Sequence, residues 1–383
     1  MTTNDNRPNT MTRVLAAAVE ANVPTLIWGD PGVGKTAVLE QRGTQWGREV
    51  RTIAASSREA VDFMGLPMEQ DGRVVYSPLS WALDLNAAKK GLLVVDEITT
   101  AASTFKAFLR IVQERYVGEL KLNDSVSLVA LANPPEIAVD GVDLAAPVAN
   151  RFLHLDWKAN FESWLSGVGN GFENEIAAEP ATYLANPTPA RRALVTAQIT
   201  GFLRHNPTLW NKVPDDPEAQ GKAWPSARSW DNVIRILTHI EPADLDARDL
   251  AISGLVGDAA RVEFSAWADS ADLIAPDVAI ADPDAVPFST MRPDQSFAVL
   301  NGVLALSNIA GDEDTWFGAV AVMTAAARSK RADVAYAPMR ALLNQPKMVK
   351  KVGIPAEARQ MFAPLLTRLG LFATDEVEEA TAA

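Results

Sequence analysis

The sequence predicts an α/β protein with a mostly parallel, five-stranded sheet, followed by regions that are entirely helical. Two observations lead to this fold class: five short apolar runs alternate with helical patterns, and no strand-like run follows Trp157. The run at 92–95 is continuously apolar, as expected for a strand covered on both faces. The five predicted strands are TLIW (25–28), VRTIAA (50–55), LLVV (92–95), SVSLVALA (125–132) and FLHLDW (152–157).

The helical elements are predicted from the spacing of apolar residues and from the positions of prolines. Between residues 11 and 23, apolar side chains recur at helical intervals, and helical patterns also cover 36–47 and 102–114. In the second half of the chain, helical patterns cover 190–204 and 228–240. Prolines at 276, 283, 287 and 293, together with several aspartates, indicate a break before the last helices at 297–371. The acidic stretch 374–383 is typical of a frayed tail.

These patterns predict four regions. They are an α/β core (1–157), a helical lid domain (158–275), a Pro/Asp-rich linker (276–294) and a C-terminal helical region with the acidic tail (295–383).

Composition limits the function classes. The 383 residues carry 35 basic and 48 acidic side chains, and the net charge of −13 disfavours non-specific binding to nucleic acid or to an anionic membrane. No cysteine and only three histidines are present, which excludes thiolate chemistry and makes a histidine-rich metal site improbable. No membrane span or secretion signal is evident, so we expect a cytoplasmic protein.

The strongest motif is a phosphate-binding loop. Residues 29–36 match G-x-x-x-x-G-K-[ST] and lie between a predicted strand and a predicted helix, as this motif requires. Glycines let the backbone N–H groups turn toward phosphate oxygens, while Lys35 supplies a positive charge and Thr36 a hydroxyl ligand for Mg²⁺. The candidate nucleotide-binding residues are Gly29, Asp30, Pro31, Gly32, Val33, Gly34, Lys35, Thr36 and Ala37.

A pair of acids ends the third predicted strand. Asp96 would lie beside the Mg²⁺ and Glu97 near the γ-phosphate, where a carboxylate can polarise an attacking water. The alternative is a surface acid pair that caps the helix from residue 102.

With these two motifs the sequence resembles the AAA+ ATPases and, within them, the MoxR-like group. The resemblance covers about 1–235 and is strongest over 24–157. It implies a P-loop core with a helical lid, ATP and Mg²⁺ as ligands, Thr36 and Asp96 as metal ligands, and Glu97 as the base.

A further motif of the group is Asn-Pro-x-Glu, and the chain has a similar sequence in Leu131-Ala132-Asn133-Pro134-Pro135-Glu136. The resemblance makes Asn133 the residue that orients water. An ordinary Asn-Pro turn is the alternative.

Two arginines take roles from the same resemblance. Asn150-Arg151-Phe152 looks like the Asp-Arg-Phe that carries the arginine finger of the family, with Asn in place of Asp. Arg151 would then act on the nucleotide of a neighbouring subunit, or else it pairs with an acid on its own surface. Trp224-Pro225-Ser226-Ala227-Arg228 resembles the Ser-x-Arg of sensor 2, which would bring Arg228 to the γ-phosphate of its own subunit. The alternative for Arg228 is an arginine at a helix start without a role.

Residues 62–76 resemble the insert near the second helix of this group. Its Phe63 and Met64 either contact a client or pack within the loop. After Asp96-Glu97 the group often reads Ile-Asn-Arg, whereas this chain has Ile98-Thr99-Thr100.

The resemblance implies an ATP-hydrolysing chaperone or remodelling ATPase that works as a homo-oligomer, expected to be a hexamer. Its client would be a separate protein, such as one with a von Willebrand factor A domain. The alternative is a nucleic-acid motor or restriction-type NTPase, although no basic stretch with interspersed aromatic residues supports it. A nucleotide-gated scaffold with very slow turnover is a third possibility.

Overall fold

A computed structural model of the chain describes residues 8–99, 102–134, 144–170 and 179–371. Contacts divide it into two compact units. The first comprises Met1–Ala185 and Asn211–Arg261, and the second comprises Asn186–Trp210 and Val262–Ala383.

The strands all belong to the first unit. In the described part of the chain they are β1 (Thr25–Trp28), β2 (Glu49–Ala54), β3 (Leu66–Gln70), β4 (Arg73–Ser77), β5 (Gly91–Asp96), β6 (Tyr116–Val117), β7 (Leu120–Lys121), β8 (Val126–Ala132) and β9 (Leu153–Asp156).

Five of these strands form one parallel sheet in the order β2-β5-β8-β1-β9. Leu26 of β1 lies between Ala130 of β8 and His154 of β9. The predicted α/β fold class is therefore confirmed, and each predicted strand lies within one or two residues of an observed one. The remaining strands form two antiparallel hairpins, β3-β4 and β6-β7.

Burial explains why the central strands were recognisable. Residues 92–95 of β5 have no exposed surface, and all seven residues of β8 are buried. Their side chains pack with helical residues such as Leu85, Phe108 and Ile111 in one apolar core. Strands covered on both faces carry apolar residues at every position, and this produces a continuous apolar run.

The α-helices of the described residues are α1 (Thr10–Glu20), α2 (Lys35–Gln45), α3 (Val61–Met64), α4 (Ser80–Ala87), α5 (Ala102–Glu114), α6 (Ala146–Ala149), α7 (Phe161–Asn170), α8 (Pro189–His205), α9 (Pro217–Gln220), α10 (Ala227–Leu237), α11 (Leu245–Val256), α12 (Asp258–Ala271), α13 (Pro276–Ala281), α14 (Pro293–Ala310), α15 (Glu313–Ala326), α16 (Ala332–Leu343), α17 (Pro346–Val352), α18 (Ala356–Met361) and α19 (Ala363–Arg368). None of the described helices is long and apolar enough to cross a membrane.

The second unit is helical and is organised around α8 and α14. These helices approach closely where glycines face small side chains: a Cβ on Gly201 would lie 2.5 Å from the Cβ of Ala298, and one on Gly302 would lie 2.8 Å from the Cβ of Ala197. The fully buried Trp316 belongs to a second cluster in the same unit.

The observed units divide the chain differently from the predicted regions. Helix α8, assigned from the sequence to a lid over 158–275, packs with α14 in the second unit. The segment predicted as a linker, 276–294, contains α13 and the buried Phe288. Its outer prolines, Pro276 and Pro293, begin helices, a position that suits a residue without an N–H. The acidic tail at 374–383 lies outside the described residues.

Candidate nucleotide-binding site

The candidate site lies at the carboxyl ends of β1, β5 and β8, which are neighbours in the sheet. The loop between β1 and α2 holds Gly32 and Gly34 at φ values of 77° and 81°, a left-handed conformation that glycine adopts readily. Gly34 is the N-cap of α2, and no side chain caps the helix there. The first N–H groups of this eleven-residue helix therefore suit an anion.

Gly29 fixes the start of this loop. Its N–H donates to the carbonyl of Ala132 at 3.2 Å. A Cβ at Gly29 would lie 2.8 Å from the carbonyl oxygen of Trp157. The loop thus begins in a space too narrow for a side chain, between the ends of β8 and β9.

Lys35 is 7% exposed, and its ammonium group contacts the loop and the residue that follows β8. Nζ donates to the carbonyl oxygens of Gly29 at 2.5 Å and Asp30 at 2.8 Å, and to Oδ1 of Asn133 at 3.2 Å. Burial lowers the pKa of Lys35, while the charges of Asp96, Asp30 and Glu97 oppose this shift. The loop cation therefore lies close to the acid pair and to Asn133.

The Thr36 hydroxyl donates to Oδ2 of Asp96 at 2.5 Å, and Oδ1 of the same carboxylate accepts the Glu97 N–H at 2.8 Å. A hydroxyl and a carboxylate side by side are ligands that Mg²⁺ prefers, so Thr36 and Asp96 fit this metal. These two Asp96 contacts are with α2 and with the Glu97 backbone; the alternative explanation of the acid pair was a cap of the helix from residue 102.

Glu97 has φ of 53°, the left-handed region that non-glycine residues rarely occupy. Such backbone strain is concentrated at functional sites, and here it occurs directly after the strand that ends in Asp96. The sequence predicted the acid pair but contained no signal for this conformation.

Asn133 follows the last residue of β8, and its side-chain oxygen accepts from Lys35. Two residues of the motif that resembles Asn-Pro-x-Glu lie outside the described residues, namely Pro135 and Glu136. Thr100, at which the chain differs from the Ile-Asn-Arg of the group, lies outside them as well.

The two candidate arginines lie near each other, at the ends of two helices. Arg151 follows α6, and one of its Nη atoms donates to the carbonyl of Pro147; among the described residues no carboxylate pairs with it. Arg228 is exposed in the first turn of α10. Burial lowers the pKa of Arg151, and the nearby charge of Arg228 lowers it further. No hydrogen bond within the described ranges joins either arginine to Lys35, Thr36 or Asp96.

Sequence reasoning missed Asn150, which is 4% exposed. Its Nδ2 donates to the carbonyl of Trp224 at 2.8 Å, and its Oδ1 accepts from the hydroxyl of Ser226. The departure from the Asp-Arg-Phe of the family was the available signal, because an amide can both donate and accept, whereas an ionised carboxylate can only accept.

His154 was missed as well. Its Nδ1 accepts from Nε1 of Trp28 at 3.1 Å, and its Nε2 contacts the carbonyl of Ala149 at 2.8 Å. An N–H on Nε2 satisfies both contacts, so the neutral tautomer fits this position. The imidazole thereby joins the end of β1, next to the phosphate loop, to the end of α6.

Comparison with known proteins agrees with this geometry. Residues 24–152 match the family model of the AAA domain, dynein-related subfamily. The sheet and its helices have the AAA+ fold.

One solved structure similar to this chain is that of an ATPase candidate from Cytophaga hutchinsonii. The match covers 64% of this chain and 80% of that one, with 15% identity and a TM-score of 0.42. No significant match is found among curated proteins. The matched region contains the loop, the acid pair and Asn133 of the AAA+ core, together with Arg151, whereas Arg228 lies beyond it.

Proposed function

We propose that this AAA+ core hydrolyses ATP to ADP and phosphate. The observation that carries the proposal is the convergence of three strand ends: Lys35 contacts Asn133, and Thr36 contacts Asp96, which precedes Glu97. Fixed charges and dipoles at the phosphates are the main requirement for phosphoryl transfer.

Each residue has a defined part in this reaction. The N-terminus of α2 and Lys35 bind phosphate oxygens, and Thr36 with Asp96 would hold Mg²⁺, which neutralises phosphate charge when bound. Glu97 accepts a proton from the attacking water, and the amide of Asn133 orients that water. Arg228 and Arg151 stabilise charge on the phosphates of their own and of a neighbouring subunit.

A phosphate-release assay with Mg²⁺ and ATP tests the proposal. We expect turnover by the wild type and at least about a tenfold loss in Lys35→Ala, equivalent to 1.4 kcal/mol of transition-state stabilisation. The control is Lys121→Ala, which removes an exposed lysine side chain away from the loop. A wild-type protein without phosphate release, or equal rates in both variants, would contradict the proposed activity.

At a finer level, we propose a MoxR-like remodelling ATPase, active as a homo-hexamer, that acts on a separate protein such as one with a von Willebrand factor A domain. Two observations support a protein client. The net charge is −13, and the β3-β4 hairpin exposes the apolar side chains of Leu66, Met68, Val74 and Tyr76.

Nucleic acid provides the contrasting test. Added DNA or RNA should leave the ATP turnover rate unchanged, because the acidic chain repels phosphate backbones. A several-fold stimulation would favour the nucleic-acid motor instead.

A further inference from the structure

Asn150 joins the two segments that carry the candidate arginines. Through Nδ2 it holds the carbonyl of Trp224, and through Oδ1 it holds the hydroxyl of Ser226. Ser226 is the N-cap of α10, where its oxygen accepts the Ser229 N–H at 3.1 Å. The connection therefore ends on the residue that fixes the start of α10.

Along the sequence, each arginine lies within two positions of a residue in this connection. Arg151 directly follows Asn150, and Arg228 is the second residue of α10 after the Ser226 cap. One side chain, that of Asn150, therefore contacts the segment that precedes Arg228 and is adjacent in sequence to Arg151. Besides burial, the charge of Arg228 lowers the pKa of Arg151, which agrees with this proximity.

The surroundings of Asn150 require a side chain that both donates and accepts a hydrogen bond. Asn150 is buried and faces one acceptor, the Trp224 carbonyl, and one donor, the Ser226 hydroxyl. An amide satisfies both, whereas a carboxylate has no N–H and would place its charge against the Trp224 carbonyl oxygen. An aspartate of the same size would accordingly keep one contact and lose the other.

We infer that Asn150 is a positioning residue that couples Arg151 to Arg228. The arginine that acts on the nucleotide of a neighbouring subunit then moves together with the arginine that acts on the nucleotide of its own subunit. This inference rests on the proposed ATPase function. It predicts that Asn150 affects the hydrolytic step more than nucleotide binding, because the phosphate loop does not contact it.

The first test compares two asparagine-to-aspartate variants. Asn86 is the matched control, since its side chain also donates to a carbonyl, that of Lys121, and accepts a backbone N–H, that of Asn123, away from the arginines. In Asn150→Asp we expect kcat to fall about tenfold to a hundredfold, with KM for ATP within about twofold of wild type. In Asn86→Asp both constants should stay near wild type. Equal kcat values in the two variants would overturn the inference.

Ser226 provides a second variant should Asn150→Asp fail to fold. Ser226→Ala removes an N-cap together with the contact to Asn150, whereas Thr188→Ala removes an N-cap alone, that of α8. Ser226→Ala should reproduce the selective loss of kcat, and Thr188→Ala should not. Identical kinetics in the two cap variants would contradict the coupling.

A distance measurement tests the coupling without any activity. The chain contains no cysteine, so spin labels can be attached at Ala145→Cys, before α6, and Asp231→Cys, on α10; both positions are exposed. The inference predicts a single narrow distance distribution that is lost when Asn150→Asp is added and retained with Asn86→Asp. An unchanged distribution in Asn150→Asp would overturn the inference, whereas absence of wild-type phosphate release would contradict only the proposed function.

Discussion

At the scale of single residues, the candidate site depends on Asp96. One carboxylate oxygen accepts from the Thr36 hydroxyl, and the other accepts from the Glu97 N–H. The same side chain therefore orients a proposed metal ligand on α2 and the backbone of the proposed base. Thr36 is the partner that can be changed without altering a charge.

Replacing Thr36 with valine should impair Mg²⁺-dependent hydrolysis, because valine keeps the shape but removes the hydroxyl ligand. We expect a decrease of at least about tenfold in turnover, measured by phosphate release at several Mg²⁺ concentrations. Thr44→Val on the same helix is the control, since the Thr44 hydroxyl donates to the Glu40 carbonyl one turn earlier. Comparable rates in the two variants would argue against Thr36 as a metal ligand.

His154 should make stability depend on pH. Burial lowers its pKa in the folded protein, while the Ala149 carbonyl and Asp156 oppose the shift. The unfolded chain binds this proton near the ordinary pKa of about 6.5, so the free energy of unfolding should decrease as pH falls below that value.

Urea unfolding of the wild type and of His154→Gln, followed from neutral pH to about pH 5.5, checks this expectation. The variant should lose less stability on acidification than the wild type does. If His154→Gln retains the full pH dependence, the assignment of His154 as a neutral buried group fails.

At the scale of secondary-structure elements, α3 carries two residues whose roles the sequence left open, and it places them in different environments. Phe63 has no exposed surface, and its ring lies 6.1 Å from that of Phe108 on α5 in an edge-to-face arrangement. Met64, its neighbour, is 36% exposed. Packing accounts for Phe63, whereas Met64, like all of β3 after it, is exposed.

This difference predicts opposite outcomes for two alanine variants. Phe63→Ala should destabilise the protein by about 3–5 kcal/mol, because it leaves a cavity in the core. Met64→Ala should change the free energy of unfolding by roughly 0.5 kcal/mol or less. Denaturant unfolding of both variants measures the difference, and similar stabilities would contradict the burial of Phe63.

The elements that could be predicted are those whose burial leaves a pattern in the sequence. Buried strands β5 and β8 give continuous apolar runs, and the loop after β1 gives a motif. Strand β3 could not be recognised, since all five of its residues are exposed and no alternation results. The pairing of α8 with α14 joins segments about ninety residues apart, and the prolines at 276 and 293 indicated a linker although they begin helices.

The candidate site was predictable to a similar degree. Local motifs identified the loop, the acids and Asn133, since each lies at the end of a recognisable strand. The contacts of Asn150 with Trp224 and Ser226 were not predictable, because they join residues more than seventy positions apart through an irregular segment. The left-handed Glu97 also escaped prediction, since backbone strain leaves no compositional signal.

At the scale of the whole molecule, the proposed assembly depends on Arg151. Within the described residues its side chain contacts the Pro147 carbonyl and none of the loop residues, which agrees with a role toward a neighbouring subunit. The net charge of −13 makes nucleic acid a poor partner, so an oligomer that acts on protein is the arrangement we propose.

Mixing experiments test this arrangement. Arg151→Ala subunits added to wild-type protein should reduce turnover more than in proportion to their fraction, because each variant subunit leaves a neighbouring nucleotide without its arginine. Arg110→Ala subunits, which lack an exposed arginine of α5, should only dilute the activity. A linear decrease with Arg151→Ala would contradict action between subunits.

The central claim is that Glu97 activates water for ATP hydrolysis at this site, and single-turnover measurement on Glu97→Gln tests it most directly. The exchange keeps the size of the side chain but removes the base, so ATP should bind with wild-type affinity while hydrolysis slows by about a hundredfold or more. The exposed Glu119→Gln should hydrolyse ATP at the wild-type rate. Near-normal hydrolysis by Glu97→Gln would contradict the claim.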